Sequence, residues 1–279
     1  MLDLSHIPNS QQDIQIFNAN GSAWQTWRKP KKCSYVYIMC IGGAGGGAGG
    51  STSIIQAGSG GGSGAVVRAL YNAQQLSDIL YIQVGLGGAG GLVAANGSAG
   101  TRSWVGLQPA IVAQNMVIGS GTTGGAAAGG IANTGTSANG ESAATQATAT
   151  FLTLSNFIGI AGQASPTIGT ANVTPLTSQI TCAGASGNVN ATAISPLISG
   201  GVNGSGLTNG TNGQNGITSW KPFYSLGGAG AGNSQLGSGG KGGDGGIGSG
   251  GGAGGSASSA GLAGNGGKGG DGLVIIISF

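Results

Sequence analysis

The stretch from Gly239 to Ser256 reads as triplets, GGK GGD GGI GSG GGA GGS, with glycine first in every one. A repeat of three fits neither the ~3.6 residues per turn of an α-helix nor the alternation of a strand. It is the period of a polyproline-II-type extended helix, which has about three residues per turn and rises ~3.1 Å per residue. Glycine in a fixed slot points to an axis too crowded for a Cβ. A weaker register of the same kind reappears as GVN GSG LTN GTN GQN GIT, Gly201 to Thr218. The chain is therefore expected to be built, in part, as a bundle of polyglycine helices, with its function in shape and surface.

Glycine fills 65 of 279 positions, against a usual ~7%. Glycine loses more backbone freedom on folding than any other residue, so only a densely hydrogen-bonded packing can hold such a chain. Hydrophobic residues make up 39% and come in tight runs. Charge is scarce, with nine Lys+Arg and six Asp+Glu for a net +3, too little to argue for a nucleic-acid partner. The one basic cluster, Arg28-Lys29-Pro30-Lys31-Lys32, reads first as a solvated loop entering a strand and second as a phosphate contact. Low charge also favours an assembly over a free monomer. The three cysteines, Cys33, Cys40 and Cys182, do not form a disulfide framework. The N-terminus shows no basic segment followed by an apolar core, and no run reaches ~18 apolar residues, so neither a signal peptide nor a membrane span is expected.

Along the chain, residues 1–23 form a polar arm. The run Tyr35 to Ile41 reads as a strand buried on both faces and leads straight into the tract Gly42 to Gly50. A second tract, Gly58 to Gly64, precedes Ala65 to Tyr71. Together with Ile79 to Val84, that segment reads as a hairpin-like pair, and Gly85 to Gly91 follows. Residues 105–222 are rich in Ala, Thr, Ser and Asn and read as an insertion into one domain spanning 24–279. The phrase Gly239-Gly-Lys-Gly-Gly-Asp-Gly245 recurs as Gly266 to Gly272 and runs into Leu273 to Phe279. So apolar a terminal run must be a central strand, because exposed it would template aggregation. No stretch shows helical periodicity. The expected fold is all-β, with packed polyglycine-II helices and little or no α-helix.

Several sharper chemistries fail on spacing. The tract Gly45 to Gly50 satisfies G-x-G-x-x-G after a strand, but no helix follows and no acid occurs before Asp78. Neither Gly-Lys pair precedes Ser or Thr, so there is no phosphate-binding Walker loop. Gly266 to Val274 fits the calcium-binding nonapeptide G-G-x-G-x-D-x-U-x. The two nonapeptides before it, however, carry no Asp to complete a ligand set. Lys241, Asp244, Lys268 and Asp271 then occupy solvent-facing third slots, where ion pairs between adjacent helices are expected. With one histidine, His6, one glutamate, Glu141, and no paired carboxylates or metal-ligand cluster, no catalytic, cofactor or metal site is expected. Trp104, Trp220, Phe223 and Tyr224 flank the insertion. They are candidate interface residues, with plugging the end of a sandwich as the plainer role.

The layout resembles a glycine-rich domain family found in bacteriophage virion proteins, tail fibres and adhesins in particular. The resemblance rests on Trp27-Arg-Lys-Pro30, Tyr35 to Gly50, Gly60 to Val67, Val84-Gly-Leu-Gly-Gly88 and Gly266 to Ile277. It covers roughly residues 15–104 and 223–279 and leaves 105–222 unexplained. It implies a β-sandwich carrying an array of polyglycine-II helices. It also implies a non-enzymatic fibre, spike or adhesin subunit of a virion, made in the host cytoplasm, that presents loops to a host surface. The expected partners are other virion proteins, further copies of the chain, and a host glycan or protein, with no nucleic acid and no membrane insertion. Two alternatives stand beside this. One is a capsid decoration or minor capsid protein that acts in assembly through the 1–23 arm; the other is an ice-binding polyglycine protein.

Overall fold

A computed structural model describes residues 13–51, 58–111, 116–119, 152–153, 159, 198, 200–205, 207–221, 223–257 and 262–279. The first sheet contains β1 (Asp13–Asn18), β3 (Tyr35–Ile41), β4 (Val66–Asn72), β8 (Leu152–Thr153) and β11 (Leu273–Ser278), in the order β1-β11-β3-β4-β8. The second contains β2 (Gln25–Arg28), β5 (Ile79–Gln83), β6 (Trp104–Gly106) and β7 (Met116–Gly119), in the order β2-β5-β6-β7. A separate hairpin joins β9 (Thr218–Trp220) to β10 (Phe223–Ser225). Every pairing in these sheets is antiparallel. The architecture is all-β, as the sequence leads one to expect.

The two sheets enclose one core. Val36, Ile38 and Cys40 of β3, Val274 and Ile276 of β11, and Ala69 and Tyr71 of β4 meet Trp27, Leu80, Ile82 and Val105 of the second sheet. Alternate residues of the first sheet, Tyr37, Met39, Ile41, Leu273, Ile275 and Ile277, form a second buried cluster on its other face. That is why β3 and β11 read as unbroken apolar runs rather than as alternation. β11 lies between β1 and β3, the central position its composition demands.

Three expectations change. β4 and β5 are not a hairpin pair: β4 pairs with β3 and β8, and β5 with β2 and β6. The connection contains a 3-10 turn, Ala73–Gln75, capped by the Asn72 side chain. It carries the chain across the ~10 Å between stacked sheets, so the two strands face each other through side chains. Part of the expected N-terminal arm is β1, an edge strand in register with β11 from Asp13 against Ser278 to Asn18 against Leu273. Residues 1–12, His6 included, lie outside the described residues. The expected insertion also supplies strands to both sheets, most of β6 with β7 and β8, places Val105 and Val117 on the core, and joins the glycine bundle through its 200–218 portion. Cys182 and Glu141 lie outside the described residues.

Candidate functional site

The glycine tracts continue the strands. β3 runs into a helix at 42–51, and a helix at 58–65 runs into β4. The first rung beyond the β3–β4 ladder is Gly42 N–H to the Ala65 carbonyl. From there the donors of the 42–51 helix rotate through three neighbours. Gly42, Gly45 and Ala48 donate to Ala65, Gly62 and Ser59. Gly43, Gly46 and Gly49 donate to Thr101, Ser98 and Ala95. Ala44, Gly47 and Gly50 donate to Gly270, Gly267 and Gly264. All nine bonds measure 2.9–3.0 Å. Two more helices donate into this one: Gly88 and Gly91 to the Ala44 and Gly47 carbonyls, and Gly251 and Gly254 to the Gly45 and Ala48 carbonyls. This is a three-residue screw bonded in every direction, the period read from the triplets.

Glycine serves closeness here. Among the described residues only Gly21 and Gly248 are glycines with positive φ. In the bundle the obstacle is a neighbouring carbonyl: a methyl on Gly46 would run into that of Ala89, and one on Gly47 into that of Gly252.

Where a row of N–H groups meets no backbone acceptor, side chains supply one. The Asn209, Asn212 and Asn215 amides and the Thr218 hydroxyl accept from the N–H groups of Ser238, Lys241, Asp244 and Ile247 at 2.7–3.0 Å. In return Gly210, Gly213 and Gly216 donate to the carbonyls of Ser238, Lys241 and Asp244. Asn203 and Asn233 do the same for Asn233 and Ser256. The asparagines of the GVN…GTN GQN register are therefore the bundle's lateral acceptors, a role visible only once the neighbouring helix is in place.

The repeated Lys and Asp behave likewise. Lys241 pairs with Asp244 at 3.2 Å and Lys268 with Asp271 at 2.8 Å, each pair one turn apart on its own helix rather than between helices as expected. The bonds between helices come from the carboxylates to backbone: Asp244 accepts from Lys268 N–H and Asp271 from Gly87 N–H, both at 2.8 Å. Among the described residues no group of three or more His, Cys, Asp or Glu is placed to hold a metal ion.

Hydrogen-bond direction gives the bundle two ends. The helices at 42–51, 85–91, 200–204, 226–234 and 249–257 run away from the sheets, and those at 58–65, 97–103, 208–216, 238–246 and 262–272 return. The described turns at 92–95, 205–208 and 234–237 gather at the far end. Exposed leucines stand at this end: Leu92 (69%), Leu207 (81%) and Leu236 (43%) in the turns, and Leu262 (75%) at the start of the 262–272 helix. The turns are tied down from behind. Ser234 Oγ donates to the Thr208 carbonyl at 2.7 Å and accepts from Gly237 N–H at 2.8 Å. Gly239 N–H binds the Leu262 carbonyl at 2.9 Å. No side chain of these turns is charged between 92 and 95, 205 and 208 or 234 and 237. Sequence reasoning passed over these leucines; the signal was an isolated leucine at the break of a glycine tract.

The four aromatic candidates do not converge. Trp104 is buried in β6, under the Arg102 guanidinium at 5.3 Å from the ring centroid. Trp220 and Phe223 stack across the β9–β10 hairpin at 5.3 Å, with Trp220 half exposed and Phe223 packed toward the outer face of the first sheet. Tyr224 leans on Ile198, Leu226 and Ala229. Trp220 alone of the four offers substantial open surface.

These features define a class: a β-sandwich whose strands wind on into a laterally bonded array of polyglycine helices. The glycine-rich domain family matches residues 18–278, and the chain belongs to that family. None of the curated proteins matches it.

Proposed function

We propose that the chain is a non-enzymatic structural subunit of a bacteriophage virion, a fibre, spike or adhesin component that presents loops to a host surface. The observation that carries this reading is the far end of the bundle. Four exposed leucines stand there, three on short turns and one at the start of a returning helix, on a scaffold bonded in three directions. Loops on a rigid base are the usual way a fold carries recognition, and apolar side chains on fixed turns bind with little ordering cost. The virion setting comes from the resemblance in motif order.

The test is binding of the purified protein to bacterial envelope fractions, alongside a variant with Leu92, Leu207, Leu236 and Leu262 changed to serine. The expected result is saturable binding to at least one fraction that the variant loses while keeping its melting temperature. Absence of binding by the wild type removes the adhesin reading. The second reading, a capsid decoration or minor capsid protein, is then favoured by β1, where Ile14 and Ile16 stand about half exposed at the margin of the first sheet.

A further inference from the structure

At the end of the sandwich opposite the bundle, the turn from Arg28 to Cys33 borders a hollow of about 480 Å³. Its lining includes Arg28, Lys31, Lys32, Cys33, Gln74 and Ile79. We propose that this hollow binds a phosphate group, held by the Arg28, Lys31 and Lys32 side chains and by the N–H groups of Lys31 and Lys32.

Charge is the first ground. Arg28, Lys29, Lys31 and Lys32 with Asp78 account for the whole formal +3. The other five cations (Arg68, Arg102, Lys221, Lys241, Lys268) are cancelled by the other five acids (Asp3, Asp13, Glu141, Asp244, Asp271).

Availability is the second. Lys29 is locked into the wall: its Nζ pairs with Asp78 at 2.8 Å and donates to the Ala73 and Leu76 carbonyls at 3.2 and 2.9 Å. Lys241 and Lys268 are ion-paired, Arg102 covers Trp104 and Arg68 bonds Tyr37. The side chains of Arg28, Lys31 and Lys32 have no hydrogen bond or ion pair among the described residues, and like-charge crowding favours an anion between them.

Backbone geometry is the third. Lys32 sits at φ 70°, in the left-handed region that disfavours a lysine. A left-handed residue within a turn is one element of the backbone concavities that bind anions. The N–H groups of Lys31 and Lys32 donate to no backbone carbonyl among the described residues, whereas those of Lys29, Ser34 and Tyr35 on either side do. The Lys29–Asp78 strut and the 3.2 Å contact from Cys33 Sγ to the Pro30 carbonyl hold the kink in place. Ile79, Ala73 and Pro30 supply apolar walls that strengthen the field inside.

The site lies away from the leucine turns and stands or falls independently of the adhesin reading. Its test is titration of the full chain with inorganic pyrophosphate at fixed ionic strength, followed by amide chemical shifts, with chloride as competitor. Saturable shifts centred on residues 28–33 and 74–79 are expected. Arg28→Gln and Lys31→Gln should each weaken binding about tenfold, the usual loss for one charge-assisted contact. Lys32→Gly keeps the turn, since glycine adopts φ 70° freely, and should also weaken binding. Lys221→Gln, which removes an equal charge elsewhere, should leave it unchanged. Cosedimentation with phosphatidylglycerol–phosphatidylcholine vesicles separates the sources: retention that Lys31→Gln abolishes assigns the phosphate to a lipid headgroup, and binding of pyrophosphate alone assigns it to a soluble phosphate. No saturable shift with either probe, displacement by chloride at equal concentration, or an equal loss in Lys221→Gln overturns the proposal.

Discussion

The Asp244 carboxylate accepts the backbone N–H of Lys268, on the neighbouring glycine helix, at 2.8 Å, while Lys241 on its own helix approaches the same oxygen at 3.2 Å. The two contacts differ in what they hold. Loss of the first leaves a lattice donor without an acceptor; loss of the second breaks an exposed ion pair. Asp244→Ala should therefore cost about 1 kcal/mol, and Lys241→Ala at most ~0.5 kcal/mol. Urea midpoints measure both. Equal losses would show that the carboxylate works as an ion-pair partner alone.

The asparagine row makes a site-resolved prediction. Replacing Asn209, Asn212 and Asn215 together with alanine removes acceptors from the Ser238, Lys241 and Asp244 N–H groups. At ~1 kcal/mol for each bond, the triple variant should lose about 2–3 kcal/mol. Hydrogen exchange should accelerate first at 238, 241 and 244. The amides of Gly239, Gly242 and Gly245, which bind Leu262, Asn265 and Lys268 carbonyls, should be affected less.

Position inside the lattice decides what a methyl does. Gly46→Ala and Gly47→Ala place a Cβ against the carbonyls of Ala89 and Gly252, which cannot move without breaking their rows. Each should cost ~3 kcal/mol or more. Gly21, at φ 56° with nothing near a Cβ, should accept asparagine with a change of only ~0.5 kcal/mol. Thermal melts of the three variants make the comparison, and a tolerated Gly47→Ala would contradict the packing.

Alkaline stability should track Tyr71. Burial, with a smaller electrostatic contribution from Cys40, pushes its hydroxyl up to about 12, and the hydroxyl donates to the Val117 carbonyl at 2.9 Å. An unfolded tyrosine releases its proton near ~10. The folded state thus binds more protons between these values, so the stabilisation is complete below pH ~10 and is lost as pH rises toward 12, by about 2 kcal/mol. Tyr71→Phe should flatten most of that slope in denaturant titrations at pH 9 to 12. Tyr37, raised in the same direction chiefly by burial, accounts for a remainder.

Much of this fold was legible because its period is local. The rotation of donors in the 42–51 helix follows from three residues per turn, and the central place of β11 from the risk of leaving Leu273 to Ser278 exposed. What escaped was relational. β4 and β5 carry strand-like sequences that do not say which sheet each joins; the Ala73–Gln75 turn settles that by crossing between layers. Asn212 reads as an ordinary loop residue until the 238–246 helix lies beside it. The leucines at 92, 207, 236 and 262 look like interruptions in glycine tracts, and their common level emerges only from the directions of ten helices among the described residues. Trp104 shows the reverse: a large aromatic beside an expected insertion, occupied in the wall of the sandwich.

The rotation of hydrogen bonds through three neighbours has a mechanical consequence. A sheet resists pulling along its hydrogen bonds but shears or peels at an edge, where one row opens at a time. In the 42–51 helix each successive residue is fastened to a different helix, so a sideways force on a tip turn spreads through several rows at once. Such a body should be nearly isotropic in stiffness across its section, and should yield by losing whole helices abruptly rather than by unzipping.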